Sequence, residues 1–107
     1  MDCIFCKIRD KIVPKDFVYE NDFVMVFEDI NPIKPIHLLI VPKKHISEFS
    51  AIDDNLLFEK IFSVVKKMID EKLNNKGYRI VINGGGAQIV NHLHVHLLGP
   101  IEKEAKM

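Results

Sequence analysis

His92-Leu93-His94-Val95-His96-Leu97-Leu98 sets three histidines at every second position, with aliphatic residues between and after them. In an extended chain successive side chains alternate faces, so the three imidazoles share one surface while Leu93, Val95 and Leu97 enter a core. One face of this strand carries chemistry and the other carries the fold. Histidine is the side chain most easily used near neutral pH as nucleophile, acid, base or metal ligand. The plain alternative is a half-buried strand whose polar face happens to be rich in histidine, and the matching pieces elsewhere in the chain count against it.

Upstream of the histidine strand, Gly84-Gly85-Gly86 reads as a turn and Tyr78–Asn83 as the strand before it. Before that comes a long helix. Asp53 or Asp54 can cap its N-terminus, Leu57, Ile61, Val64, Val65, Met68 and Leu73 recur at helical spacing, and Gly77 suits a left-handed C-cap. Phe58, Phe62 and Ile69 widen its apolar surface beyond one stripe, enough to cover the sheet on one side and meet a second subunit on the other. Ile36–Val41 is nearly continuous in apolar residues and reads as a central strand ended by Pro42. Phe17–Glu20 and Phe23–Phe27 flank Asn21-Asp22 as a hairpin, while Ile4, Phe5 and Ile8 fit one face of a short helix. Strand pairs before and after one long helix predict an α+β fold, an antiparallel sheet of about five strands with one long and one short helix.

A chain of 107 residues is one domain, 1–107, with 48% hydrophobic and 28% charged residues as in an ordinary globular protein. Lys plus Arg total 15 and Asp plus Glu total 15, so no net basic field draws in a nucleic acid, although a local phosphate site is compatible. The start, Met1-Asp2-Cys3-Ile4-Phe5-Cys6, lacks a basic n-region and an apolar h-region, and no apolar run approaches a membrane span. A cytoplasmic location is therefore expected, where Cys3-x-x-Cys6 is a thiol pair or half of a metal site rather than a structural disulfide.

A nucleophilic imidazole must be neutral, exposed on one nitrogen and held on the other, and the unperturbed pKa of about 6.5 permits this. The middle histidine has a neighbour on each side to position it, which singles out His94. Gly84–Gly86 can serve simply as a hairpin turn, or can also bring main-chain N–H groups close to a phosphate.

The pattern from His92 to Leu98 resembles the signature of the histidine triad nucleotide-binding family, in which three histidines alternate with apolar residues. Further segments resemble the family in the same order: Ile4–Ile8, Phe27–Pro32, Ile40–Ile46, Gly77-Tyr78-Arg79 and Gln88-x-Val90-x-His92. The resemblance implies a nucleotide-binding hydrolase, of the purine nucleoside phosphoramidase type, in which His94 attacks the α-phosphorus and water hydrolyses the nucleotidyl-histidine. It gives His96 the phosphate oxygens and His37 the task of holding the triad in the right tautomer. Asp29 matches a carboxylate that accepts from ribose hydroxyls, and Asn83 and Gln88 match residues that contact ribose or phosphate. Ile4, Phe5, Ile8, Phe27 and Ile30 match positions that sandwich a purine. One departure is Gln88-Ile89-Val90, which lacks a hydroxyl found in many relatives, and another is the short loop from Asn83 to Gln88.

Zinc-containing bacterial members suggest, by resemblance, that His45 and His92 complete a structural zinc site with Cys3 and Cys6. Family members also pair through the long helix and an adjoining strand, which implies a homodimer, with Phe62 or Ile69 as candidate contacts. The competing functions are a dinucleoside polyphosphate hydrolase, favoured if the pocket admits a second nucleotide, and a zinc-stabilised nucleotide- or partner-binding module with little turnover.

Overall fold

The computed structural model describes residues 2–103. Strands β1 (Tyr19–Glu20), β2 (Val24–Glu28), β3 (Ile36–Pro42), β4 (Arg79–Ile82) and β5 (Val95–Gly99) form one sheet in the order β1-β2-β3-β5-β4. Every neighbouring pair is antiparallel. Helix α2 (Asn55–Lys72) covers one face and the short α1 (Ile4–Arg9) covers the other. The expected α+β architecture is the observed one. No helix among the described residues is long and apolar enough to cross a membrane.

Period-two alternation sorts the side chains. Val24 and Val26 of β2, Leu38 and Ile40 of β3, and Val95 and Leu97 of β5 pack with Leu57, Ile61, Val64, Val65 and Met68 of α2. Met25, Phe27, Leu39 and Val41 project the other way and pack with Cys3, Phe5 and Ile8. His37 and His96 have the same parity as Leu39 and Leu98, so they lie on the α1 face. Asp54 caps α2, its Oδ1 accepting from the N–H groups of Leu56 and Leu57 at 3.0 and 3.4 Å.

Several expectations from sequence are corrected. Regular pairing of the histidine strand begins only at Val95, because β4 ends at Ile82 and β3 aligns Ile40 with Val95 as its last partner. His92 to His94 still alternate, and Leu93 enters the α2 core, its N–H donating to the Ile46 carbonyl at 2.7 Å. Pro42 is the last residue of β3, as expected, and it pairs there with Val24. In the first hairpin Phe17, Val18 and Phe23 lie outside the strands, since Asn21 Oδ1 accepts from the N–H groups of Phe23 and Val24 at 2.8 and 2.9 Å and extends the turn.

Gly77 is not the left-handed residue after α2; that conformation falls to Asn75, with φ of 60°. Glycine is needed at 77 because a Cβ there would strike the Ile101 carbonyl oxygen, while Ile101 N–H donates to the Gly77 carbonyl at 2.9 Å. Ile4 also departs from expectation: it is 42% exposed, and only Phe5 and Ile8 of the short helix are buried.

Candidate functional site

The β3–β5 register places His37 opposite Leu98, so His96 is its diagonal neighbour on the same face. His37 Nε2 stands 2.9 Å from His96 Nδ1. The Ile33 N–H donates to His37 Nδ1 at 3.2 Å, which assigns the His37 proton to Nε2. That proton is then offered to His96 Nδ1, so His96 carries its own proton on Nε2, the nitrogen turned away from His37. Burial, followed by the neighbouring His94 and His37, lowers the pKa of His96 and favours its neutral form.

Asp29 closes this group. Its Oδ2 lies 3.3 Å from His37 Nε2 and 3.9 Å from His96 Nδ1, while Oδ1 accepts from the Asn31 N–H at 2.8 Å. Asp29, His37 and His96 are close enough together to hold a cation. The donor chemistry argues for a hydrogen-bonded relay instead, because His37 Nδ1 is occupied by a main-chain N–H and Nε2 retains its proton.

His94 is held differently. Its Nδ1 lies 2.8 Å from the main-chain oxygen of His92. A carbonyl only accepts, so Nδ1 carries a proton, and in the neutral tautomer this selects the lone pair lies on Nε2. The His94 ring packs edge-on against His96, with centroids 5.1 Å apart, and against Phe5 at 5.2 Å.

His92 leaves the other two triad histidines for a different set of partners. Its Nε2–H donates to the Pro42 carbonyl at 2.8 Å, which turns the Nδ1 lone pair toward His45 Nδ1 at 3.1 Å, Cys3 Sγ at 3.3 Å and Cys6 Sγ at 3.6 Å. Cys6 Sγ and His45 Nδ1 are 3.4 Å apart. A tetrahedral cation with ligands at about 2.0–2.3 Å separates those ligands by about 3.3–3.8 Å, close to this spacing. His92 is fully buried, and burial lowers its pKa to about 4, so its ligating nitrogen stays unprotonated near neutrality. Burial and the adjacent Cys3 push the Cys6 thiol up in the metal-free chain. The Pro42 carbonyl supplies the outer hydrogen bond that metal-ligating imidazoles commonly make. Cys3, Cys6, His45 and His92 therefore form a group that could bind a metal ion.

The remaining expected contacts are more scattered. Phe5, Ile8 and Phe27 are buried in the core beneath α1, whereas Ile4 and Ile30 are 42% and 82% exposed. Asn83 is exposed at the end of β4. Gln88 braces its own loop, accepting from the Gly86 N–H at 3.0 Å and donating to the Ser47 carbonyl at 3.3 Å. Gly85 and Gly86 have φ of 64° and 96°, as a tight turn requires, and Gly85 N–H donates to Glu48 Oε1 at 3.2 Å. The part played by Glu48, and by the Pro42 carbonyl and Ile33 N–H, escaped sequence reasoning, because no periodicity reports which main-chain group meets a distant imidazole.

A five-stranded antiparallel sheet with alternating histidines on β5 and its lead-in, joined by a fourth histidine from β3, defines a histidine triad protein. The chain belongs to the HIT domain family, whose profile matches residues 10–103. An uncharacterized HIT-like protein of Methanocaldococcus jannaschii is 41% identical over 108 residues, covering 98% of this chain and 84% of that protein. Among solved structures, a histidine triad protein from Clostridium difficile superposes with a TM-score of 0.89 at 40% identity, covering 100% of this chain and 97% of that one. A HIT family hydrolase from Legionella pneumophila gives a TM-score of 0.87 at 40% identity, with 98% of both chains covered.

Proposed function

We propose that the protein is a nucleotide hydrolase that acts at the α-phosphorus of a purine nucleotide conjugate, of the nucleoside phosphoramidase type. The observation that carries this reading is the 2.8 Å bond from His94 Nδ1 to the His92 carbonyl, which selects the tautomer whose lone pair lies on Nε2. Similarity to the Legionella HIT family hydrolase supports the reaction class.

In this reading the Nε2 lone pair of His94 forms a bond to phosphorus, and the bond to the leaving group breaks with its electron pair going to that group. The imidazole becomes cationic, and the His92 carbonyl stabilises it at Nδ1–H. His96 donates its Nε2–H to a non-bridging phosphate oxygen, where charge develops. His37 keeps that donor correctly placed by occupying His96 Nδ1. Water then attacks phosphorus as the bond to Nε2 breaks with its electron pair returning to that nitrogen; the nucleoside monophosphate departs from neutral His94, and the proton the water loses balances the one the leaving group takes up. Asp29, Asn83 and Gln88 are assigned to ribose and phosphate, and Ile4, Phe5, Ile8, Phe27 and Ile30 to the walls around the purine.

Zinc is the proposed occupant of the Cys3–Cys6–His45–His92 group, because two sulfurs and two imidazole nitrogens suit it and leave no open position. Bound there, it would hold α1 to the segments carrying His45 and His92. A homodimer is proposed through α2 and the edge strand β4. Phe62 and Ile69 are half-buried against the core, so Leu56, Phe58 and Ile80, exposed at 54%, 39% and 39%, are the better candidates for its seam. A cytoplasmic location remains part of this proposal.

A second reading, a nucleotide- or partner-binding module with little turnover, draws on Ile89, an apolar side chain 98% exposed where many relatives carry a hydroxyl. Incubation with adenosine 5′-phosphoramidate and, separately, with a dinucleoside polyphosphate decides among the readings. Release of adenosine monophosphate from the first alone supports the phosphoramidase, turnover of the second alone the polyphosphate hydrolase, and binding without product from either the module.

A further inference from the structure

Helix α1 has only six residues, and Cys3 and Cys6 bracket Phe5 at its start. Cys3 Sγ caps the helix by accepting the Cys6 N–H at 3.4 Å. A helix this short does not hold itself together, so its placement depends on what anchors its side chains. Those anchors are the cysteine–histidine group, the burial of Phe5 and Ile8, and at its end the Arg9 guanidinium, which donates to the Lys43 carbonyl at 2.8 Å.

The Phe5 ring meets three others edge to face. Its centroid lies 5.2 Å from that of His94 at an interplanar angle of 77°, 5.6 Å from His92 at 81°, and 5.7 Å from Phe27 at 62°. Only 6% of the residue is exposed. Whatever it lends the purine wall, Phe5 is packed mainly against other rings. It braces the His94 ring from one side while His96 packs against that ring at 5.1 Å.

We infer that Phe5 is a positioning residue, through which the Cys3–Cys6–His45–His92 group sets the orientation and tautomer of the His94 imidazole. The inference rests on the proposed role of His94 as nucleophile. Two connectors join the group to that ring. The His92 main chain accepts the His94 Nδ1–H while the His92 side chain belongs to the metal group. Phe5, riding on the helix that carries both cysteines, touches the two imidazoles directly. When the cysteines are released, the first turn of α1 loosens and the Phe5 ring withdraws, and His94 gains freedom to rotate and to exchange its proton between nitrogens.

The test compares the metal-loaded wild type, the wild type stripped by a chelator, and metal-loaded Phe5→Leu. Long-range nitrogen–proton NMR of the His94 ring is recorded with steady-state kinetics on a purine and a pyrimidine nucleoside phosphoramidate. Phe5→Leu should lower kcat about tenfold for both bases, as lost orientation does, beyond any rise in KM from its place in the purine wall. Its His94 spectrum should move from a fixed Nδ1–H form toward an averaged one, and chelation of the wild type should move it the same way. An unchanged His94 spectrum after both treatments overturns the inference, as does a base-dependent rise in KM at constant kcat. If the metal-loaded wild type turns over neither substrate, the functional reading fails, while the spectra still decide whether Phe5 and the metal group govern the His94 ring.

Discussion

His37 Nε2 and His96 Nδ1 are 2.9 Å apart across the β3–β5 ladder, and the direction of that bond is set by a main-chain N–H on the far side of His37. The pair therefore presents one outward N–H, on His96. His37→Ala removes the group that holds His96 in this form and should lower kcat by between about tenfold and a hundredfold, with a much smaller change in KM. Steady-state hydrolysis of a nucleoside phosphoramidate measures both, and an unchanged kcat would remove His37 from the machinery.

His94→Ala deletes the only imidazole whose Nδ1 is bonded to the His92 carbonyl among the described residues. Turnover should fall by more than about a thousandfold, because no covalent intermediate can form. Calorimetric titration with a nucleoside monophosphate should still show binding, since the nucleophile makes few of the expected base and ribose contacts. Turnover near the wild-type level would exclude His94 as nucleophile.

Elemental analysis of protein purified without chelators should give one zinc per described Cys3–Cys6–His45–His92 group. Stripping it should lower the melting temperature, since a ligand bound only to the folded state stabilises that state. Acid should release the metal, because burial pushes the Cys6 thiol up and protons compete more strongly for it as pH falls. A metal-free protein with an undiminished melting temperature would leave the cysteines as free thiols.

In the stripped protein, His92 and His96 set a pH dependence of stability. Burial depresses both pKa values, that of His92 to about 4, below the unfolded value of about 6.5. Between those values the unfolded chain binds more protons, so stability present above pH 6.5 is lost as pH falls toward 4. Urea unfolding of chelated protein at pH 7.5 and 5.5 should give the lower free energy at 5.5, and the reverse order would contradict the neutral burial of these rings.

Much of this protein was legible in the chain itself. Alternation from Leu93 to Leu98 separated core from chemistry, and helical spacing from Leu57 to Met68 located α2, because such periods follow from local backbone geometry. The Gly77 error marks the limit of local reasoning: the residue is glycine because Ile101, far along the chain, passes against it.

Sequence alone determined that the three histidines share one face and that the chain carries a histidine triad motif. Only the tertiary structure shows which groups face each of them. His92 turns to Cys3, 89 residues away, and to the Pro42 carbonyl, while His96 turns to His37 and His94 keeps a free nitrogen. The physical reason is that the role of an imidazole depends on which nitrogen holds the proton. That is settled by the acceptor or donor facing the other nitrogen, and those partners arrive from separate strands, loops and a helix that only folding brings together.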